Sequence, residues 1–411
     1  MRRVLACWGN GDFGRLGHGQ ACLSEEVPKL CAKLNGLNAE QVACGGAHTA
    51  VVAGDGRLFT FGLNSHGQLG HSQDSEFISE PSAVELPEPV QAVAAGHHHT
   101  LCLGHNGQVW VFGNNAQWQL GLGRKASTHT SQPKPLQALS GVKIKSVAAG
   151  AEHSLAVSED GELFSWGCGG QGRLGHGAAT GMGWLQQQNE AQPRVINSLE
   201  GTPIASAAAG HMHSGCVDQS GQGYSWGCGR FWQLGTGSDR DVYNPAPVEG
   251  LHALNGLSCG GLHGLAQEQT GQLLAWGANQ NGVLGLGSEL IQSQRSPMPL
   301  QKIFASQVAS GWKHCAAVTG TGKLIAWGWG GSMGHPSLDN LQSSGGQLGL
   351  GGDTDRWEPA FVEWIEDSTA DMLTQVTADG HEQWRALQVA CGFNHTAAIF
   401  EVSEYAEKPI A

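Results

Sequence analysis

Apolar and polar positions alternate over short distances in this chain, and residues 90–121 show the pattern clearly. Val90-Gln91-Ala92-Val93-Ala94-Ala95 predicts one strand and Thr100-Leu101-Cys102-Leu103 a second. His105-Asn106-Gly107 supplies a tight hairpin turn, after which Gln108-Val109-Trp110-Val111-Phe112 alternates as a third strand. Gly113 to Gln119 reads as a loop leading to a short fourth strand at Leu120-Gly121. These runs are too short for helices, and the glycine spacing would break a helix of ordinary length. The expected unit is a four-stranded antiparallel sheet.

The unit repeats. Gly-x-x-His occurs at Gly45/His48, Gly96/His99, Gly150/His153, Gly210/His213, Gly260/His263, Gly311/His314 and Gly392/His395. An aromatic-Gly pair follows thirteen residues after the histidine at Phe61, Phe112, Trp166, Trp226, Trp276 and Trp327, and a further copy, Trp8-Gly9, opens the chain. Leu-Gly follows eight residues later at Leu16, Leu69, Leu120, Leu174, Leu234 and Leu284, and at Leu348 after an insertion. A lone four-stranded sheet leaves two faces uncovered, whereas blades packed radially bury both against their neighbours. The fold class predicted is therefore all-β, a seven-bladed β-propeller of four-stranded blades forming one domain over residues 1–411. The repeats fall at about 40–72, 91–123, 145–177, 205–237, 254–287 and 305–351. The chain starts and stops within a repeat, so residues 387–400 and 1–19 are expected to close the ring by pairing N- and C-terminal strands in a composite blade.

Composition agrees with a turn-rich fold: 63 of 411 residues are Gly and 14% are charged, against usual values of about 7% and about 25%. The net charge of −13, with no stripe of Lys and Arg, disfavours direct nucleic-acid binding. Eleven cysteines without a C-x-x-C pair suggest neither a disulfide framework nor a zinc site, and fit a reducing compartment, cytoplasmic or nuclear. The apolar stretch at Val4-Leu5-Ala6 is too short for a signal peptide, and no apolar run has the length of a membrane span. An organellar location is expected only if a transit peptide has been removed.

In this order and number, the three markers resemble the regulator of chromosome condensation family over essentially the whole chain. The resemblance implies three kinds of function: guanine-nucleotide exchange on a small GTPase of Ran or Rab type, plant UV-B reception, and binding of protein partners by a non-enzymatic scaffold. Exchange factors of the family insert a wedge between aromatic-Gly and Leu-Gly. This chain has one insertion in that slot, Trp329 to Gln347, thirteen residues longer than its siblings and rich in Gly and Ser. The photoreceptors carry Gly-Trp-Arg-His-Thr in three successive repeats, which only Gly311-Trp312-Lys313-His314-Cys315 approaches here.

Candidate chemistry shrinks once periodicity is considered. His48, His99, His153, His213, His263, His314 and His395 recur once per blade and read as structural, bonded to backbone near a central channel. His97-His98-His99 with His211 could offer metal ligands, but no supporting carboxylate is positioned by sequence, and no metal or cofactor is expected. Gly9-x-Gly11-x-x-Gly14 and Gly167-x-Gly169-x-x-Gly172 lack the helix that a dinucleotide site requires. Hydrolytic and phosphate-cradling motifs are missing, and Cys44, Cys259 and Cys391 read as small buried core residues.

Function is expected in what varies between repeats. Following strand direction, the Gly-x-x-His loops and the loops after aromatic-Gly share one face of the disc. The candidate partner-binding residues there are Phe13, Arg15, Trp118, Arg173, Arg230, Phe231, Trp232, Trp312, Lys313, Trp329, Phe393 and Asn394, a set dominated by the aromatics and arginines that carry binding energy at interfaces. The opposite face is assigned Gly181 to Gln192 and the acidic linker Glu363 to Asp371. The reading is a protein-binding scaffold, with exchange on a small GTPase as the alternative.

Overall fold

In a computed structural model, residues 2–19, 24–72, 75–177, 189–331, 345–367, 372–375 and 383–403 are described. Residues 332–344 of the insertion, 181–188 of the Gly181 to Gln192 segment and 368–371 of the acidic linker lie outside them. Seven sheets are present, six of them four-stranded and antiparallel, the seventh mixed through a parallel contact at Lys29↔Glu366. In blade two the strands are Val90–Ala95, His99–Gly104, Val109–Asn114 and His129–Pro135, ordered from the central channel outward. Among the described residues no helix is long and apolar enough to cross a membrane.

The fourth strand is a correction. Leu120-Gly121 is a turn, in which the Gly121 amide donates to the Trp118 carbonyl at 2.9 Å and the Leu120 amide to Asn115 Oδ1 at 3.1 Å. The true fourth strand, His-Thr-Ser-Gln-Pro-Lys-Pro, is too polar and proline-rich to advertise itself, as suits an outer edge facing water. The repeats consequently extend beyond the Leu-Gly marker, and blade two ends near residue 135 instead of 123. The same shift moves Asn189 to Gln192. Glu190–Val195 is the fourth strand of blade three, and Glu190 pairs with Gly167 at the Gly-x-x-His end, so this segment borders that face and not the opposite one.

The composite blade closes the ring. Arg2–Asn10 pairs with His395–Val402 in register from Arg2↔Val402 to Gly9↔His395, with Trp384–Cys391 innermost and Ser24–Leu30 outside. Trp364–Glu366 and Met372–Thr374 extend this sheet to six strands. Lys29 bridges the seam, 2.9 Å from Glu25 and 3.0 Å from Glu366.

Each repeat marker holds neighbouring blades together. The marker aromatics Trp8, Phe61, Phe112, Trp166, Trp226, Trp276 and Trp327 are buried between sheets. Trp166, Trp226, Trp276 and Trp327 each donate Nε1 to the carbonyl just before Leu-Gly in the preceding blade, at 2.9 Å. The Leu-Gly glycine lies against the next blade's aromatic. A Cβ on Gly121, whose φ is +71°, would stand 2.9 Å from Trp166 Nε1.

Candidate functional site

The Gly-x-x-His loops meet at the central channel. Gly45 has to be glycine because a Cβ would lie 2.3 Å from the His48 ring and 2.5 Å from the carbonyl oxygen of Gly96 in the next blade. The Nε2 of five of these histidines meets a side-chain hydroxyl, a partner that the sequence does not show. His48 Nε2 lies 3.0 Å from Thr100 Oγ1, and that hydroxyl donates its proton to the Gln68 carbonyl at 2.8 Å. The hydroxyl must therefore accept from Nε2–H, which fixes a neutral tautomer. His99 pairs in the same way with Ser154, His153 with Ser214, His314 with Thr396 and His395 with Thr49, at 2.8–3.0 Å. His263 meets Cys315 Sγ at 3.1 Å. Gly264 stands where a hydroxyl would serve His213, whose Nε2 is buried without a partner. Burial pushes His48, His99 and His263 down to about 3 and His213 and His314 to about 4. Buried neutral rings in a fixed tautomer are structural relays.

Cys44 is a buried core residue as expected and Cys391 packs against a blade core, while these two and Cys259 also border the channel. Cys259 and Cys391 are half-buried, and desolvation pushes both thiols up to about 12. Such thiols are poor nucleophiles.

The variable loop positions assemble at the channel mouth. Phe393 stacks on Trp312 with centroids 5.0 Å apart and on His97 at 4.5 Å, and meets His211 edge-on at 6.0 Å. His98 continues the stack 4.1 Å from His97, and His66 lies 4.8 Å beyond it. Lys313 holds its ammonium 4.8 Å from the Trp312 ring and 5.3 Å from that of Trp329. One aromatic cluster thus joins loops of several blades, with Trp312 exposed at its edge.

The other candidates separate into two groups. Arg15 and Arg173 are buried and leave the exposed set. Their side chains brace the loops, Arg15 Nε donating to the Asp12 carbonyl at 2.9 Å and Arg173 Nε to that of Gly170 at 3.0 Å. Asn394 is half-buried, and its carbonyl accepts from the Asn10 amide at 2.8 Å. Phe13, Trp118, Arg230, Phe231 and Trp232 form an outer rim, with Arg230 and Phe231 exposed. Phe13, Trp118 and Trp232 are held at φ of 59°, 64° and 58°. A left-handed conformation at a bulky residue costs roughly 1–3 kcal/mol. Sequence reasoning missed Arg124 and Arg295, whose guanidinium carbons lie 4.9 Å from the Trp118 ring and 5.3 Å from the Trp232 ring. Nothing local signals the second contact, because Arg295 belongs to the fourth strand of the next blade, whereas Arg124 lies six residues from Trp118 in the same loop.

A family model described as RCC1-like domain matches residues 4–398. The ultraviolet-B receptor UVR8 of Arabidopsis thaliana is 33% identical over 400 residues, covering 97% of this chain and 71% of that protein. The E3 ubiquitin-protein ligase HERC2 of Homo sapiens is 33% identical over 259 residues, covering 62% of this chain and 5% of that ligase. The crystal structure of Prp20p from Saccharomyces cerevisiae, described with its binding to Gsp1p and histones, superposes with a TM-score of 0.82 at 21% identity, covering 98% of this chain and 93% of that one. At that identity the likeness is one of fold.

Proposed function

This chain belongs to the RCC1-like domain family, and from that premise we propose that it is a non-enzymatic scaffold that binds protein partners through the Gly-x-x-His face. The observation that carries the reading is the aromatic cluster at the channel mouth. Trp312 and Trp329 flank Lys313 there and Phe393 stacks on Trp312, although the fold asks only for the glycine and histidine of each loop. Aromatic and cationic side chains grouped on one face are the usual anchors of protein interfaces. Affinity purification with the wild-type chain against Trp312→Ala and Trp232→Ala tests it. The partner set is expected to be depleted in both variants, and an unchanged set with folding intact removes the reading.

A second reading, nucleotide exchange on a small GTPase, draws support from the insertion that leaves the same face at Trp329 and returns at Gln347, whose Nε2 donates to the Trp329 carbonyl at 3.0 Å. Prp20p, of the same fold, is described as binding Gsp1p. Accelerated release of labelled GDP from any member of a panel of Ran- and Rab-type GTPases would put exchange in place of the scaffold. UV-B reception is no part of the proposal, since the photoreceptor repeat is approached only at Gly311-Trp312-Lys313-His314-Cys315.

A further inference from the structure

Two of the seven loops break a rule that the other five keep. The carbonyl that receives the Leu-Gly amide belongs to Gly14, Gly67, Gly172, Gly282 and Gly346 in five blades, but to Trp118 and Trp232 in blades two and four. All seven positions have positive φ. A side chain is disfavoured there because Cβ crowds the following carbonyl, and five sibling turns close without one. The turn itself therefore gives no reason for tryptophan.

Both indoles are half-buried and carry a guanidinium over the ring, from Arg124 in one case and Arg295 in the other. Residues 115–128 contain Arg124 and Lys125 and no carboxylate. Around Trp232, Arg230, Arg240 and Arg295 are exposed, against Asp239 and an Asp241 that already lies 3.6 Å from Arg230. This rim is cationic on a chain whose net charge is −13.

We propose that Trp118 and Trp232, with their stacked arginines, form a two-point docking surface for an acidic peptide segment of a partner protein, one that alternates carboxylates with aliphatic side chains. The inference rests on the scaffold reading and names the chemistry of its partner. An indole edge offers apolar contact, while a guanidinium already stacked on it is preorganised and keeps its in-plane donors free for a carboxylate. The local excess of cations favours an acidic segment over a basic or neutral one.

Fluorescence anisotropy on the full chain tests this, with a labelled peptide of alternating Glu and Leu as probe and a Lys-Leu peptide as control. The Glu-Leu peptide is expected to bind, more weakly as salt rises. Trp118→Gly, Trp232→Gly and Arg295→Ala are each expected to weaken binding by about tenfold or more. The two glycine variants should melt at or above the wild-type temperature, since they restore the sibling turn. Equal binding of the Lys-Leu peptide, wild-type binding by the glycine variants, or a clear loss of melting temperature in both would overturn the proposal, the last by making the indoles packing residues. A wild-type dimer that the glycine variants dissolve would assign the surface to a second copy and overturn it too. Partner capture that persists in both glycine variants but is lost in Trp312→Ala sinks this inference and leaves the scaffold standing. Capture indifferent to all three substitutions sinks both.

Discussion

The repeated histidine is a residue whose role depends on what stands one blade away. Its structural character can be read from periodicity alone, since a group present in every blade belongs to the fold. Its partner cannot be read from local spacing, because Thr100 is 52 residues from His48 and is brought there only by the ring. Ser154→Ala is expected to strand the buried His99 Nε2–H, while the Gln119 carbonyl keeps its bond from Trp166 Nε1. A loss of roughly 1–3 kcal/mol should appear in urea unfolding. His213 provides the internal control. Its Nε2 is already without a partner, so His213→Leu should cost less than His153→Leu, which forfeits the bond to Ser214. Equal losses would mean that the relay hydrogen bond contributes nothing beyond ring packing.

At the scale of the element, the fold was legible wherever apolar residues alternate and illegible where they do not. The three inner strands of each blade lie between buried faces and declare themselves by pattern. The fourth lies at the rim, and a run such as Arg-Trp-Glu-Pro-Ala-Phe has little alternation to show. Leu-Gly, by its regular spacing, suggests that strand but marks a turn. The leucine plugs the gap between blades and the glycine makes way for the next aromatic. The rim site was half legible for a similar reason: Trp118 and Trp232 stand out in the sequence, but their cost becomes visible only with φ, and Arg15 and Arg173 look like surface residues until the loops fold over them. Gly121→Ala tests the turn assignment. It should combine left-handed strain of about 1–2 kcal/mol with crowding of Trp166, whereas Gly36→Ala, at φ +83° with nothing within 4 Å of the added carbon, meets the strain alone. Thermal unfolding of the two variants should therefore differ, with Gly121→Ala melting lower. A strand at Leu120-Gly121 would predict little difference.

At the scale of the whole molecule, the relays run around the ring, interrupted at His213, and include the closure. His314 reaches Thr396 and His395 reaches Thr49, so the C-terminal strand pair is tied to blades six and one through the same neutral rings that join the other blades. Acid should act on all of them together. In the unfolded chain a histidine titrates near its ordinary value of about 6.5. In the fold, burial holds His48, His99 and His263 to about 3 and His213 and His314 to about 4, and His153 and His395 well below the ordinary value. Between the two ranges the unfolded state binds more protons. Stability is therefore complete above the unfolded value and is lost as pH falls through the window toward the folded one, each histidine contributing a slope of about 1.4 kcal/mol per pH unit once fully titrating in the unfolded chain. Asp55 and Asp218 have carboxyls lowered from their ordinary value of 3.8, so their own contribution is lost only in the most acidic part of this range, after most of the histidine loss. Melting temperature is thus expected to be flat above about pH 7 and to drop steeply below about pH 6, with several protons taken up per molecule unfolded. Calorimetry in buffers of different ionisation enthalpy measures that uptake directly. A melting temperature indifferent to pH across this window would mean that the rings stay solvated, and with it would go the argument that a circle of buried neutral histidines holds the propeller shut.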